Sequence, residues 1–354
     1  MKSLLCITPD LKRSGAPIAL LRLMEILICN KELSITLLTY GNGDLFSSYI
    51  DLIGEDHIII LNGLNPTEEF REMLQTGYDI ILLNTSTVYT FAFYFQNLNI
   101  PVYWWIHEAP EMIESSLPAF PNPHLLSPNF RLFLPSKGAA ECFHNHYNYN
   151  VSILHVPVNK PLLPVSGLPV DIPDDRILFL MPSAYSYIKG QDILLSAILS
   201  LPQGIKNRSY FIFCGYSLDK QIEFKNTIFK IATNIDNVLM LEDLSQDILF
   251  ALMNKCHCIV APSRIDTIPL TIVEGLMYKK LCLVSDKTGI SAYIKDCVNG
   301  FVFKDEEELI KRLLLIINDC SSLNSIADNG HKIYIDHFSP EAVSRNINEV
   351  FRDI

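Results

Sequence analysis

Short, unbroken apolar runs recur along this chain, and they constrain its fold more than any other feature. In the first half they are "SLLCIT" (3–8), "SITLLTY" (34–40), "HIIIL" (57–61), "DIILLNT" (79–85) and "VYWWIH" (102–107). Helical patterns such as "PIALLRLMEILICN" (17–30) lie between them. A half-exposed strand alternates apolar and polar residues. These runs do not, so they predict strands covered on both faces. Strand–helix–strand order then implies a parallel sheet. The same grammar restarts with "RILFLMP" (176–182), a helix over 190–201, and "YFIFCG" (210–215). It continues through "NVLML" (237–241), "CHCIVAPS" (256–263) and "LCLVSD" (281–286). Between the halves, residues 157–173 hold five prolines. Proline fixes φ and lacks an N–H, so this stretch suits neither a helix interior nor a central strand.

The expectation is therefore two doubly wound α/β domains, residues 1–160 and 174–338, joined by a hinge at 161–173. A last helix, 339–354, has Ser339 as cap and Pro340 in its first turn, and is expected to reach back toward the first domain. Ligands of such sheets bind beyond the carboxyl ends of the strands, so the default site is a central cleft faced by both domains.

Composition narrows the function. Of 354 residues, 49% are hydrophobic and 19% charged, enough for two cores and inconsistent with general disorder. The net charge of -11 argues against a general nucleic-acid binder, which needs a basic face. Nine cysteines follow no framework of spacings, which fits a reducing, cytoplasmic setting with free thiols. No stretch approaches the roughly 18 apolar residues of a membrane span. Lys2, Lys12, Arg13 and Arg22 leave room for peripheral contact at the inner face of a membrane. "RSGAPIAL" carries one glycine where a nicotinamide-binding turn needs three, so a dehydrogenase is a poor reading. Cys142, His144 and His146 do not complete a metal shell, and no metal or cofactor is implied.

The segment "SRIDTIPLTIVEG" (263–275) raises the sharpest chemical question. As a helix it places Glu274 on one face with Leu270, Val273 and Met277. A carboxylate there is costly unless something pairs with it. Asp266 or Thr267 is the candidate cap, with Pro269 in the first turn. A helix start of this kind offers N–H groups and positive potential to a phosphate or to hydroxyls.

Here the chain resembles glycosyltransferase family 4. The likeness is carried by "APSRIDTIPLTIVEGLMYKKLCLVSDKTGISAYIKDCVNGFVF" (261–303), with two acids eight apart, a Gly turn at Thr288-Gly289 and a closing "NGF". "YIKGQDILLSAI" (187–198), "RSGAPIALLRLMEIL" (13–27) and "WWIHE" (104–108) extend it. The resemblance implies a GT-B fold and a retaining, metal-independent sugar transfer from a nucleotide-sugar to a glycan or lipid-linked acceptor. It implies catalytic roles for His107, Lys189 and Asp266. His107 would position the sugar, Lys189 would neutralise the diphosphate, and Asp266 would bind sugar hydroxyls. Glu274 would take the ribose hydroxyls. Gly15, Arg264, Thr267, Leu270 and Thr271 would complete the donor contacts.

Departures are specific. The family's diphosphate-binding Arg falls at Ala184, an acid after the Gly turn falls at Ala292, and Pro269 removes an N–H. Arg264 is the candidate to compensate for the missing Arg. The competing reading is a non-catalytic subunit of a glycosylation complex that keeps the fold.

Overall fold

Residues 2–30, 33–61, 68–159, 168 and 171–351 are described by the computed structural model. Most of the expected hinge lies outside them. By their contacts they form two units, Met1–Pro157 with Ser339–Ile354, and Val158–Phe338.

The first unit is built on seven parallel strands: β1 (Lys2–Thr8), β2 (Leu33–Thr39), β3 (Ile58–Ile60), β4 (Ile80–Asn84), β5 (Val102–Trp105), β6 (Phe130–Leu134) and β7 (Ser152–Ile153). Their order is β3-β2-β1-β4-β5-β6-β7. Leu4, Leu5, Cys6 and Ile7 are all fully buried in succession, as a strand covered on both faces requires. The helix Gly15–Asn30 begins two residues before its apolar pattern does. β5 stops at Trp105, so His107 lies beyond the strand that the sequence pattern would have extended over it.

The second unit holds β8 (Ile177–Pro182), β9 (Ser209–Gly215), β10 (Val238–Glu242), β11 (Cys258–Ala261), β12 (Leu281–Ser285) and β13 (Phe301–Phe303). The order is β10-β9-β8-β11-β12-β13, again with every pairing parallel. Phe179 and Phe211 stack in its core with centroids 4.7 Å apart. β11 is shorter than the expected 256–263. Cys256 instead ends the helix Gln246–Lys255, and both Cys256 and Cys258 are buried free thiols.

In each sheet one strand marks where the order reverses. β1 has β2 on one side and β4 on the other; β8 has β9 and β11. Such switch points leave a crevice at the carboxyl ends of the strands.

The end of the chain belongs to the first unit. Ser339 caps the helix Pro340–Val350, its Oγ accepting from the Ala342 N–H at 3.2 Å, with Pro340 leading the helix. Beyond it, Phe351 is fully buried, its ring centroid 4.5 Å from Tyr103 of β5 and stacked on Phe133 of β6 at 6.4 Å.

Candidate functional site

In the second unit the chemistry gathers at the β8/β11 switch point. β8 leads through Ser186 into a single turn, Tyr187–Lys189, ended by Gly190 at φ +77°. A Cβ on Gly190 would stand 2.1 Å from the Pro262 carbonyl oxygen just past β11. Only glycine permits both that conformation and that approach. The turn therefore rests directly on the segment that leads to Asp266.

Lys189 Nζ lies 2.6 Å from Asp266 Oδ2, the Asp266 side chain being 8% exposed and that of Lys189 32%. The backbone of Asp266 is also held. Its N–H donates to Lys287 O at 3.3 Å, and its carbonyl accepts from Gly289 N–H at 2.7 Å. The Thr288-Gly289 turn after β12 is thus tied to the same acid.

Beyond Asp266 the helix runs Leu270–Met277. Neither Asp266 nor Thr267 caps it. Pro269 occupies the N-cap, outside the first turn, and no side chain caps the opening N–H groups. The reason is hydrogen bonding elsewhere: the backbone of Asp266 is tied to the loop after β12, and its side chain to Lys189. Ile272, Val273 and Leu276 are fully buried, and Glu274 is 6% exposed. The helix lies close on the sheet, since a Cβ on Gly275 would come 2.8 Å from Ile259 Cδ1. Glu274 also reaches Tyr278 electrostatically. Burial, and then the Glu274 carboxylate, push that phenol above its ordinary value. Leu270 and Thr271 are half-buried at the helix start, beside the half-buried Thr267.

Arg264 does not point into open space. Its guanidinium makes two parallel bonds to Asp192, Nη1–Oδ1 at 2.8 Å and Nη2–Oδ2 at 2.6 Å. Ala184, where the resemblance places an Arg, is buried, and its carbonyl accepts from Gln191 Nε2 at 2.8 Å. Ala292 is exposed in the short helical turn Gly289–Tyr293.

The first unit has its own cluster, at the β1/β4 switch point. Asn84, fully buried at the end of β4, donates through Nδ2 to Thr8 Oγ1 at 3.1 Å and to Ala16 O at 3.2 Å. Those donations fix the amide, so Oδ1 is the acceptor facing His107 Nε2 at 2.9 Å. His107 is therefore the Nε2–H tautomer. Burial lowers its pKa to about 3, which leaves it neutral at pH 7. Glu108 Oε2 accepts from the N–H of Ser86 at 2.9 Å and of His107 at 3.2 Å, joining the loops after β4 and β5. Gly15 opens the neighbouring helix, and a Cβ there would meet nothing within 4 Å, so the fold itself does not demand glycine.

Other conspicuous residues serve the fold. Trp104 and Trp105 are fully buried and donate to Thr85 O at 2.8 Å and Leu154 O at 3.0 Å. His146 pairs with Glu114 at 2.7 Å on an exposed helix. Among the described residues no group of three or more His, Cys, Asp or Glu is placed to hold a metal ion, and no helix is long and apolar enough to cross a membrane.

Two parallel-sheet Rossmann-like units of this kind define the GT-B class of fold. Three solved structures share it over nearly the whole chain. HepE of Anabaena, crystallised with UDP and glucose, aligns with a TM-score of 0.79 at 17% identity, covering 100% of both chains. A glycosyltransferase of Rickettsia africae gives 0.75 at 15%, covering 99% of this chain and 98% of that one. WaaG, a glycosyltransferase involved in lipopolysaccharide biosynthesis, gives 0.69 at 13%, covering 98% and 99%. By sequence, an uncharacterized glycosyltransferase of Methanocaldococcus jannaschii is 25% identical over 204 residues, 57% of this chain. The match spans about half the length of that relative, 53%. The family model for glycosyl transferases group 1 matches residues 169–353, more than half of the chain. The chain belongs to that family.

Proposed function

We propose that this protein transfers a sugar from a nucleoside-diphosphate sugar to an acceptor hydroxyl, with retention at the anomeric carbon and without a metal. The observation that carries the reading is the Lys189–Asp266 pair at the β8/β11 switch point, with the buried Glu274 in the helix Leu270–Met277 that follows. Lys189 supplies the positive charge that a diphosphate leaving group needs. Asp266 receives sugar hydroxyls, and Glu274 the ribose diol. Leu270 and Thr271 offer backbone N–H groups at a helix start that no side chain caps, and Thr267 stands on the loop before it. Gly15 and His107 contribute from the first unit in the roles the resemblance implies, His107 toward the sugar. The bond from the anomeric carbon to the diphosphate breaks, the bond to the acceptor oxygen forms on the same face, and the acceptor proton passes to the departing phosphate.

HepE was crystallised with UDP and glucose, so UDP-glucose is the first donor to try. WaaG acts in lipopolysaccharide synthesis, which supports a surface glycan or its lipid-linked precursor as acceptor. We place the reaction in the cytoplasm, at the inner face of the membrane.

The test is nucleotide-dependent stability. Both tryptophans of the chain, Trp104 and Trp105, lie in the first unit, so their fluorescence follows that unit alone. UDP at about 100 times its dissociation constant should add about 2.7 kcal/mol to the second unit's transition. Glu274→Gln should abolish the shift while keeping the side-chain volume. If none of UDP, GDP, dTDP, CMP or ADP moves that transition, the donor-site reading fails.

One observation favours a second reading, a non-catalytic subunit: Ala184 places no charge where the family's diphosphate-binding Arg falls. Slow UDP-glucose hydrolysis that disappears in Glu274→Gln would exclude it.

A further inference from the structure

Two ion pairs meet where the Tyr187–Lys189 turn rests on the loop of Asp266, and the reading above uses one of them, Lys189–Asp266. The other is Arg264–Asp192, with side chains 28% and 32% exposed. Its geometry is dense. Besides the two parallel bonds to Asp192, Nη1 donates to the Tyr187 carbonyl at 2.6 Å, and the guanidinium carbon lies 3.8 Å over the Tyr187 ring. The Arg264 backbone N–H donates to Ile188 O at 2.8 Å. Tyr187 and Ile188 immediately precede Lys189. Arg264 stands two residues before Asp266. Asp192, in the first turn of the helix Gln191–Ser200, joins them from a third direction.

Each contact therefore spans the same seam, between the turn that carries Lys189 and the loop that carries Asp266. A planar guanidinium fork on a carboxylate fixes orientation as well as distance, which an ammonium cannot do. The acid at a helix start is also favoured by the helix dipole. Gly190 pressed on Pro262 closes the seam from the backbone side. Arg264 is thus committed to holding the seam, which differs from the direct diphosphate contact expected of it as a substitute for the missing Arg.

We propose that Asp192 is a positioning residue for donor binding, clamping Arg264 so that Lys189 and Asp266 are presented together to the diphosphate and its sugar. The inference rests on the donor-site reading of Lys189 and adds to it a residue 74 positions from Asp266 in the chain.

The experiment is calorimetric titration of the full chain with UDP, which probes the phosphate contact without the sugar. Asp192→Asn should weaken UDP about tenfold, roughly the loss of one charge-assisted contact. Asp192→Glu should recover part of it, while the second unit's unfolding transition moves little. Lys189→Ala should weaken UDP at least as much. The double variant should then bind no worse than Lys189→Ala alone, because the clamp acts through Lys189. Should Asp192→Asn fail to fold, Arg264→Lys keeps the charge, loses the fork and gives the same comparison. Unchanged affinity in Asp192→Asn, or losses that multiply in the double variant, would overturn the proposal. Wild-type affinity in Lys189→Ala would overturn the donor-site reading and this inference together, a result distinct from multiplied losses.

Discussion

The two units solve the same topological problem with opposite chemistry. Each sheet reverses its strand order once, at β1/β4 and at β8/β11, and each crevice is crossed by side chains from the strand ends. In the first unit the Asn84 crossing is neutral: Asn84 joins Thr8, Ala16 and His107 through an amide, and His107 carries no charge at pH 7. The carboxyl beside them, Glu108, is engaged by the N–H groups of Ser86 and His107. In the second unit it is ionic: Lys189 on Asp266, and Arg264 on Asp192. A neutral network orders its members without repelling or attracting charge. An ionic one is poised to exchange partners with a charged ligand. Under the proposed function, this difference supports the second unit as the one that takes the diphosphate.

The largest expected effect tests whether the two units can be perturbed apart. Phe351 is fully buried between Tyr103 and Phe133, so Phe351→Ala removes a core aromatic from the first unit. The cost should be about 3–5 kcal/mol. Tryptophan fluorescence should report it as a lower denaturation midpoint, while the UDP-induced shift of the second unit persists. If the UDP shift vanished as well, the units would be coupled, and the contrast between them would lose its meaning.

Gly190→Ala comes next and strikes the ionic side. The new Cβ would have to clear the Pro262 carbonyl, 2.1 Å away, from a backbone at φ +77°. The strain is worth about 1–3 kcal/mol. The second unit should melt earlier, and UDP affinity should fall because the Lys189 turn lifts off the loop of Asp266. Unchanged UDP affinity in a folded Gly190→Ala protein would show that the site tolerates loose spacing. That would count against the importance of a clamped pair.

How far this contrast could be read in advance depended on where its parts sit in the sequence. The acids of the second unit stand eight apart in one motif, and a buried Glu274 follows from helical spacing alone. Strands β1, β2, β4, β5, β8, β9 and β12 announce themselves as apolar runs because both their faces are covered. β7 has two residues and β13 three, and neither stands in an unbroken apolar run as long as the one that marks the three-residue β3. The partners were less accessible still. Asp192 lies 72 residues from Arg264 and Asn84 lies 23 from His107, and nothing local in either segment names the other. Local rules misplaced the start of the Leu270–Met277 helix because Asp266, a good cap by type, is held by Lys287 and Gly289 from another loop. Tertiary pairing overrode local preference at the residue that carries the chemistry.

The smallest effect tests the neutral side through pH. His107 has a folded pKa of about 3, against roughly 6.5 for an unperturbed histidine, and burial alone is the cause. Between those values the unfolded chain binds a proton that the native state does not. Stability therefore rises with pH across that window and falls as acid is added, by up to about 1.4 kcal/mol per pH unit. The titratable neighbour on the same loop is Glu108, whose carboxyl is raised by burial and therefore acts with the opposite sign. Glu108 is common to wild type and His107→Gln, so the difference between their tryptophan-reported stabilities isolates the histidine. That difference should be flat above pH 7 and grow on acidification toward pH 4. Asn84→Asp should raise the pKa of His107 by placing a carboxylate against Nε2, and so shrink the window. A wild-type His107 that titrates near 6.5 by NMR would make the first crevice ionic in mild acid, and the neutral half of the comparison would fall.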